Sequence, residues 1–345
     1  MSGPTLLSVD DLQVRFRTEE GTVHAVDGVS FEVRRGEVVA IVGESGAGKS
    51  VMAMTLMGLT RSPNAEISGR AHLGETELIG AAEDELQAIR GDRMAMIFQD
   101  PMSSLNPVYR VGDQIVEQIA AHTDMSSEGA FGRAVDLLRE VGIPAPEERA
   151  RAFPHEFSGG MRQRALIAMG LSLEPELLIA DEPTTALDVT IQAQILRLLK
   201  RLNTDRGVTT VLITHDLGVV ADIADRVLVM YGGRIVESGT LDQIFYDPQH
   251  PYTWGLLGSI ARLDRPRAGR LAQITGQPPS LLSPPEGCHF RPRCPHRFSK
   301  CKQVPPLEAR GGDGSHTDRC WLDPERKQAL RTLESGEIGL EEPAA

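Results

Sequence analysis

A glycine-rich segment between an apolar run and an apolar helical stretch constrains this chain more than any other feature of its sequence. Its residues are Gly43, Glu44, Ser45, Gly46, Ala47, Gly48, Lys49 and Ser50. The run Val38–Val42 predicts a buried strand, and residues 51–57 predict a helix. Glycines in this setting let the backbone wrap around phosphate oxygens, and the N–H groups at the helix start form an anion site. The segment therefore predicts a phosphate loop in which Lys49 reaches the β- and γ-phosphates and Ser50 binds Mg²⁺.

The alternative is a glycine-rich turn that binds nothing. The use of basic residues favours the phosphate loop, because Lys49 is the only lysine in the first 199 residues, where arginine is plentiful. A narrow ring of backbone N–H groups around a phosphate needs a compact point charge, which an ammonium supplies better than a guanidinium.

Length, composition and charge limit the classes of protein to which the chain can belong. With 345 residues, 41% of them hydrophobic, it can form one or two domains with a substantial core. A formal net charge of −12 argues against a nucleic-acid-binding surface. No stretch approaches the roughly 18 apolar residues of a membrane span, and the N-terminus has no basic segment followed by an apolar one. We therefore expect a cytoplasmic protein.

Apolar periodicity predicts an α/β fold with strands and helices that alternate. Residues 6–42 predict β structure with a break at Asp10 and Asp11, and residues 66–80 predict a hairpin. Further strands are expected at residues 94–98, 177–180, 209–213, 227–230 and 234–236, and helices at residues 51–60, 83–90, 111–122, 129–141, 159–173 and 190–203. The alternation indicates a largely parallel sheet, and the helices over about residues 100–173 should form a separate lobe.

The character of the chain changes near residue 265, where prolines mark a linker. We expect one domain over residues 1–264 and an irregular C-terminal module over residues 265–330, which carries every cysteine. Residues 331–345 should form an acidic, solvated tail.

Four polar groups follow the predicted strands: the phosphate loop, Gln99, the Asp181–Glu182 pair and His215. In an open parallel sheet, ligands bind beyond the carboxyl ends of the strands, so we expect these groups to converge. Asp181 suits Mg²⁺, and Glu182 is placed to polarise an attacking water. Two adjacent carboxylates repel each other unless a cation lies between them, which supports the interpretation that a metal ion binds here. The alternatives are a helix cap for the acidic pair and an ordinary strand-end role for His215.

The four cysteines predict a metal centre in the C-terminal module. They are Cys288, Cys294, Cys301 and Cys320, with five, six and eighteen residues between successive members. In a cytoplasmic chain, cysteines act as metal ligands more readily than as disulfides. Four thiolates can hold a 4Fe-4S cluster or Zn²⁺, and the absence of short paired spacings favours the cluster. Free or structural thiols remain the third interpretation.

Residues 6–260 resemble the ATP-binding cassette (ABC) proteins. The motifs that carry the resemblance, in the order typical of that family, are the phosphate loop, Gln99, Ser158-Gly159-Gly160, Asp181-Glu182 and His215. The resemblance implies an ATPase that uses ATP and Mg²⁺. It also implies a phosphate-loop NTPase cassette with an antiparallel β subdomain and an inserted helical lobe, followed here by the irregular cysteine-containing module.

The resemblance further implies roles at the nucleotide for residues outside the phosphate loop. Ser158, Gly159 and Gly160 would contact the γ-phosphate held by a second subunit, and Asp188 lies in the 186–188 loop that crosses the dimer interface. Phe16 would stack on adenine, although a simple core position is the alternative.

The resemblance also implies roles for the other motif residues, and the sequence departs from the family motif at two positions. Gln99 would bind the nucleotide and its Mg²⁺, and Glu182 and His215 would be the catalytic residues. Phe157 and Met161 stand where the family has leucine and glutamine, so the outer contacts of this motif are expected to differ.

Three segments, at residues 98–107, 157–164 and 287–295, look like the oligopeptide and dipeptide importer ATPases, of which this chain resembles the first of two. The resemblance implies a heterodimer with a second ATPase subunit, on two transmembrane permease subunits supplied by an extracytoplasmic peptide-binding protein. The chain would then lie peripherally on the cytoplasmic face of the membrane and bind no nucleic acid. Nickel or another small solute, or a non-transport ABC ATPase, are the alternatives.

Overall fold

A computed structural model of the chain describes residues 3–185, 187–259, 274–310 and 314–338. Its strands are β1 (Thr5–Thr18), β2 (Gly21–Arg34), β3 (Val38–Val42), β4 (Ala65–Leu73), β5 (Thr76–Glu77), β6 (Met94–Ile97), β7 (Leu177–Asp181), β8 (Thr209–Thr214), β9 (Arg226–Tyr231), β10 (Arg234–Thr240), β11 (Glu308–Arg310) and β12 (His316–Asp318). Its helices are α1 (Lys49–Leu56), α2 (Glu83–Ile89), α3 (Pro101–Ser104), α4 (Val111–His122), α5 (Ser127–Glu140), α6 (Pro146–Arg149), α7 (Gly159–Gly170), α8 (Val189–Arg206), α9 (Leu217–Ala221), α10 (Leu241–Tyr246), α11 (Pro251–Gly258) and α12 (Pro324–Ile338).

Strands β1, β2, β4 and β5 form an antiparallel sheet in the order β2-β1-β4-β5. The expected break at Asp10 and Asp11 is a bulge, where the register of β1 shifts against both β2 and β4 and Asp11 has φ 46°. A bulge inserts an unpaired residue and bends the strand. The β structure predicted for the N-terminal segment and the hairpin that follows α1 are confirmed.

The remaining described strands form a second sheet in the order β11-β12-β10-β9-β3-β8-β7-β6. Strands β9, β3, β8, β7 and β6 run parallel to one another. Because parallel strands are covered on both faces, β3 and β7 are buried along their full length and appear in the sequence as continuous apolar runs. The predicted parallel sheet is therefore confirmed.

A helical lobe follows β6, as expected. It is built from α4, α5 and α7, whose apolar faces share one core with the helix α8 and with β7. The structure places α4 over the same residues that the sequence predicts, and α5 and α7 start or end within three residues of their predicted bounds.

The C-terminal module differs from the irregular structure that we expected, because two of its segments are strands. β12 pairs antiparallel with β10, and β11 pairs with β12, so the module extends the main sheet. The free edge of β10 offers unpaired backbone groups, which a short segment from far along the chain satisfies. The predicted boundary at residues 264 and 265 lies outside the described residues.

The predicted acidic tail is helical in its first part. The helix α12 includes residues 331–338, and residues 339–345 lie outside the described part of the chain. This helix is anchored where Lys327, which is fully buried, pairs with the buried Asp318 of β12.

Among the described residues, none of the helices combines the length and apolar character that crossing a membrane requires.

Candidate functional site

The phosphate loop connects β3 to α1 at the carboxyl end of the main sheet. Gly48 has φ 96°, and a Cβ there would stand 2.2 Å from the Ala25 carbonyl oxygen. A Cβ on Gly43 would stand 2.1 Å from the Met230 carbonyl oxygen. Neither contact is possible for a larger residue, so these glycines let the loop pack closely against its neighbours. The predicted strand, loop and helix are in place.

Lys49 lies across this loop. Its Nζ donates to the carbonyl oxygens of Gly43, at 2.8 Å, and Glu44, at 3.0 Å. Burial lowers the pKa of Lys49, while the nearby carboxylates of Glu182, Asp181 and Glu44 act in the opposite direction. The ammonium is thus held by two exchangeable carbonyl contacts at the centre of the loop, where phosphate oxygens can replace them.

The Ser50 hydroxyl donates to Asp181 Oδ1 at 3.1 Å, so the two predicted Mg²⁺ ligands are neighbours. Asp181 is 4% exposed, and burial raises its pKa, with a further contribution from the charge of Glu182. A buried carboxylate is costly when its charge is unpaired, so the position of Asp181 favours a cation beside it. Oxygen donors of this kind are those that Mg²⁺ prefers, so the two side chains fit the expected ion.

Glu182 is the centre of the expected catalytic group. Its Oε2 accepts hydrogen bonds from Gln99 Nε2 at 3.1 Å and Thr185 Oγ1 at 2.7 Å, and lies 3.2 Å from His215 Nδ1. Its backbone has φ 47°, and its N–H donates to the Ile213 carbonyl. A left-handed conformation costs a non-glycine residue about 1 kcal/mol or more. Three contacts on one oxygen hold the carboxylate without using Oε1.

The structure therefore brings together the phosphate loop, Asp181, Glu182, Gln99 and His215, as the sequence predicts. Thr185 is a member of this group that we did not predict from the sequence. Its position three residues after Glu182, in the turn that follows β7, is the local signal that could have identified it.

The Ser158-Gly159-Gly160 motif lies at the start of α7 in the helical lobe. The Ser158 hydroxyl accepts from the Met161 N–H at 3.3 Å and caps the helix, and a Cβ on Gly160 would stand 2.8 Å from Ile191 of α8. Asp188 caps α8 by accepting from the Ile191 N–H at 3.0 Å. These contacts place the motif beside the start of α8. The contacts of Ser158, Gly159, Gly160 and Asp188 with nucleotide stay predictions.

Both departures from the family motif have a packing role. Phe157 is 3% exposed and belongs to the core of the helical lobe, and Met161 packs against the same core. Phe16 is half-buried on β1 and packs against the core beneath the antiparallel sheet. Part of the Phe16 ring is exposed to solvent. Its stacking on adenine stays a prediction.

The four cysteines, far apart in sequence, line one small cavity together with His250, Phe290 and Trp321. Cys301 is buried and the others are half-buried. Burial, followed by smaller contributions from their surroundings, raises the pKa of Cys294 and of Cys320 to about 12. Nevertheless, no group of three or more His, Cys, Asp or Glu side chains within the described residues is arranged to hold a metal ion. Neither the predicted cluster nor zinc is therefore supported by the structure.

Comparison with known proteins gives two family matches in one chain. Residues 26–185 match the ABC transporter family, and residues 236–301 match the C-terminal region of oligopeptide/dipeptide transporters. The dipeptide transport ATP-binding protein DppD of Bacillus subtilis is 53% identical over 324 residues, which cover 94% of this chain and 96% of that protein. The oligopeptide transport ATP-binding protein OppD of Salmonella typhimurium is 52% identical over 304 residues, covering 88% and 90% of the two chains.

Solved structures agree with these matches. The dimeric structure of MJ0796, a bacterial ABC transporter cassette, has a TM-score of 0.61 at 29% identity and covers 68% of this chain and 98% of its own. A dimeric post-hydrolysis state of the same cassette, bound to ADP and Pi, has a TM-score of 0.62 at 28% identity, with the same coverage. The chain belongs to the ATP-hydrolysing subunits of ABC transporters, in the branch that carries the oligopeptide/dipeptide transporter C-terminal region.

Proposed function

We propose that this chain hydrolyses ATP to energise the import of dipeptides or oligopeptides across the cytoplasmic membrane. The observation that carries the proposal is 53% identity over 94% of the chain to a protein named for dipeptide transport. The match of residues 236–301 to the oligopeptide/dipeptide transporter C-terminal region adds independent support, because it lies beyond residues 26–185, which match the ABC transporter family in general.

The contacts around Glu182 suggest how the chain cleaves the γ-phosphate bond. Lys49 exchanges its two carbonyl contacts for oxygens of the β- and γ-phosphates. Ser50 and Asp181 would hold Mg²⁺, which neutralises charge on those phosphates. Glu182, oriented by Gln99 and Thr185, then acts as general base on the attacking water.

His215 lies at the carboxyl end of β8, with its Nδ1 3.2 Å from Glu182 Oε2. In the proposed mechanism it contacts the γ-phosphate and keeps the Glu182 carboxylate in place. Its side chain is 58% exposed in a single chain, which is consistent with a surface completed by a second subunit.

The proposed assembly pairs this chain with a second ATPase subunit beneath two transmembrane permease subunits, on the cytoplasmic face of the membrane. Each ATP would lie between the phosphate loop of one subunit and the Ser158 motif of the other. A change from 1% to 99% closed requires about 5.5 kcal/mol of differential binding. A few charge-assisted hydrogen bonds to the γ-phosphate, at roughly 1.5–3 kcal/mol each, suffice. Hydrolysis removes them, and the pair opens.

Uptake of a labelled dipeptide tests the proposed solute. The gene for this chain is deleted in its native host, and the chain is then expressed again either as wild type or as Glu182→Gln. Import of a radiolabelled dipeptide is compared with import of Ni²⁺ in these strains. We expect the wild type alone to restore dipeptide uptake. Restoration of Ni²⁺ uptake without dipeptide uptake would establish the alternative solute.

Purification of the intact complex tests the proposed partners. From gently solubilised membranes, we expect an affinity-tagged chain to retain two membrane proteins and one homologous ATPase. Recovery with ribosomes or nucleic acid, and without membrane proteins, would favour a non-transport ABC ATPase.

We further infer that the four cysteines hold a 4Fe-4S cluster. All four cysteines line one cavity, although up to eighteen residues separate successive members in the sequence. Four thiolates are the usual ligands of such a cluster, and the four cysteines have none of the short paired spacings that are typical of zinc sites. When bound, the cluster would cross-link these segments.

Metal analysis after anaerobic purification tests this inference. We expect about four iron atoms per chain and a brown protein that absorbs at about 400 nm from iron–thiolate charge transfer. Replacement of Cys294 by Ser should remove the colour, whereas replacement of the exposed Ser299 by Ala should not. One equivalent of zinc in a colourless protein would establish the zinc alternative. A metal-free protein would show that the cysteines are free or structural thiols.

A further inference from the structure

The C-terminal module contacts the phosphate loop directly, through an arginine beside Cys294. The Arg293 guanidinium forms two bonds with the Glu44 carboxylate, with NH1 at 2.5 Å from Oε2 and NH2 at 3.1 Å from Oε1. Glu44 is the second residue of the phosphate loop, and 249 positions separate the partners. The Arg293 side chain is 5% exposed. An arginine–carboxylate pair with two contacts fixes orientation as well as distance.

The rest of the guanidinium is also held. Its NH2 donates to the Ile274 carbonyl at 3.1 Å and its Nε to the Thr275 carbonyl at 3.1 Å, while NH1 lies 3.3 Å from the Tyr231 hydroxyl. These partners leave the arginine little freedom to turn away from Glu44. Its position is therefore set by the module, and the module thereby sets the position of Glu44.

The backbone of Glu44 has a second support from the C-terminal part of the chain. The Glu44 N–H donates to the Tyr252 hydroxyl at 2.9 Å, and Tyr252, on α11, is fully buried beside Tyr231 and Phe290. Both the side chain and the backbone of Glu44 are thus fixed from outside the cassette strands that flank the loop.

The far end of the loop is supported through the turn between β9 and β10. The Gly233 N–H donates to the Ala47 carbonyl at 3.1 Å. The carbonyl of the adjacent Gly232 lies 2.7 Å from Nδ1 of His289, which follows Cys288. Residues 288–294 consequently contact Glu44 of the phosphate loop through Arg293, and through His289 they contact the turn that bonds Ala47.

We propose that Arg293 is a positioning residue for nucleotide binding, because it holds Glu44 and thereby the phosphate loop in the shape that receives phosphate oxygens. Its guanidinium acts through Glu44 and does not touch the nucleotide. The inference rests on ATP binding and not on which solute is carried, so it can fail while the dipeptide uptake experiment succeeds, and the reverse.

Titration of the purified full chain with ADP·Mg²⁺, together with steady-state ATPase kinetics, tests the role of Arg293. For Arg293→Gln we expect a Kd and a KM about tenfold higher, which corresponds to the loss of one charge-assisted contact, and a kcat within about threefold of the wild type. The matched control is Arg297→Gln in the same module, where the arginine is exposed and bonds the Pro292 carbonyl. This control should leave Kd and KM unchanged.

A purely structural role would give a different result. A variant that is partly misfolded loses active molecules, so kcat falls while KM stays constant. That outcome for Arg293→Gln, or a Kd within twofold of the wild type, would overturn the proposal. Arg293→Lys keeps the charge without the two-point geometry and should give an intermediate Kd.

A double-mutant cycle shows whether Arg293 acts through Glu44. We expect Glu44→Gln alone to raise Kd, and the double variant with Arg293→Gln to bind no more weakly than the weaker single variant. Because Glu44 is the more exposed partner, its single variant also keeps the test valid if Arg293→Gln does not fold. Fully additive effects of the two substitutions would show that they act independently and would refute the pairing.

Discussion

Glu182 shows how a single residue can combine a strained backbone with a fixed side chain. It follows the last residue of β7 in a left-handed conformation, and Gln99, Thr185 and His215 surround one of its carboxylate oxygens. Two of these partners come from other strand ends of the main sheet. In the proposed mechanism these contacts orient the carboxylate in advance, so little reorganisation is required when water is activated.

Replacing Glu182 by Gln should separate ATP binding from hydrolysis. The amide has the same shape but cannot accept a proton, so we expect hydrolysis to slow by about 10²–10⁴. ATP affinity should stay within a few fold of the wild type. Single-turnover hydrolysis and equilibrium ATP binding measure the two effects. Turnover near that of the wild type would remove Glu182 from the role of general base.

At the scale of elements, the phosphate loop depends on close backbone approach from two directions. The strand β2 meets it at Gly48, and β9 meets it at Gly43, each through a carbonyl oxygen. The loop is consequently held in shape by the strands around it as well as by its own sequence.

Gly48→Ala should therefore damage both stability and nucleotide binding. The new methyl group would overlap the Ala25 carbonyl at φ 96°, and we expect a loss of at least about 1 kcal/mol in the free energy of unfolding. The control is Gly132→Ala in α5, where the space is open and the change should stabilise the chain by up to about 1 kcal/mol. Urea unfolding measures both. Equal effects of the two substitutions would contradict the packing described for Gly48.

At the opposite end of the main sheet, Glu176 joins two further elements. Its carboxylate lies 2.6 Å from Arg93 Nε and 2.6 Å from Arg35 NH2. Burial alone would raise the pKa of Glu176, but the bonds and charges of Arg93 and Arg35 lower it below its usual value of 4.5. The folded state thus binds the proton less readily than the unfolded state, and the stabilisation is present above pH 4.5 and lost as the pH falls through the folded pKa.

Glu176→Gln should lower the free energy of unfolding at pH 7 by about 1 kcal/mol, a modest value because solvent screens a partly exposed pair. The difference from the wild type should shrink below pH 4.5, where the carboxyl becomes protonated in the wild type as well. Urea unfolding at a series of pH values measures the effect, with the exposed Glu20→Gln as control. A difference that stays constant with pH would exclude the ion pairs as its cause.

For the whole molecule, the main consequence of the structure is that the C-terminal module is part of the cassette. β12 continues the main sheet through β10, and Arg293 and His289 support the phosphate loop and the turn beside it. A buried polar cluster joins these parts, because Glu237 of β10 accepts from the N–H groups of Gln249 and His250 and lies 2.8 Å from His316 Nε2.

Lys327→Met should weaken the attachment of α12 to the sheet. Lys327 and Asp318 are both fully buried at 2.5 Å, and Arg310 bonds the other oxygen of Asp318. Removing one partner of a buried pair costs about 3–5 kcal/mol, and the remaining arginine should place the loss near the lower value. The exposed Lys302→Met is the control in a urea unfolding experiment. Equal midpoints for the two variants would show that the buried pair adds no stability.

The sequence by itself determined the phosphate loop, the alternation of strands and helices, and the convergence of Gln99, Asp181, Glu182 and His215. These depend on local signals: apolar period, glycine spacing, and the rule that parallel strands present their carboxyl ends at one edge of a sheet. Because each signal lies within a few residues, no knowledge of distant contacts was required.

Only the tertiary structure decided which distant segments meet. No local pattern links Glu44 to Arg293, β10 to β12, or Asp318 to Lys327, since each pairing depends on how the whole chain packs. Thr185 was not predicted because a threonine in a turn has many ordinary uses. Local chemistry therefore fixed which residues could act on a phosphate, and burial of the module against the cassette fixed which residues hold them in place.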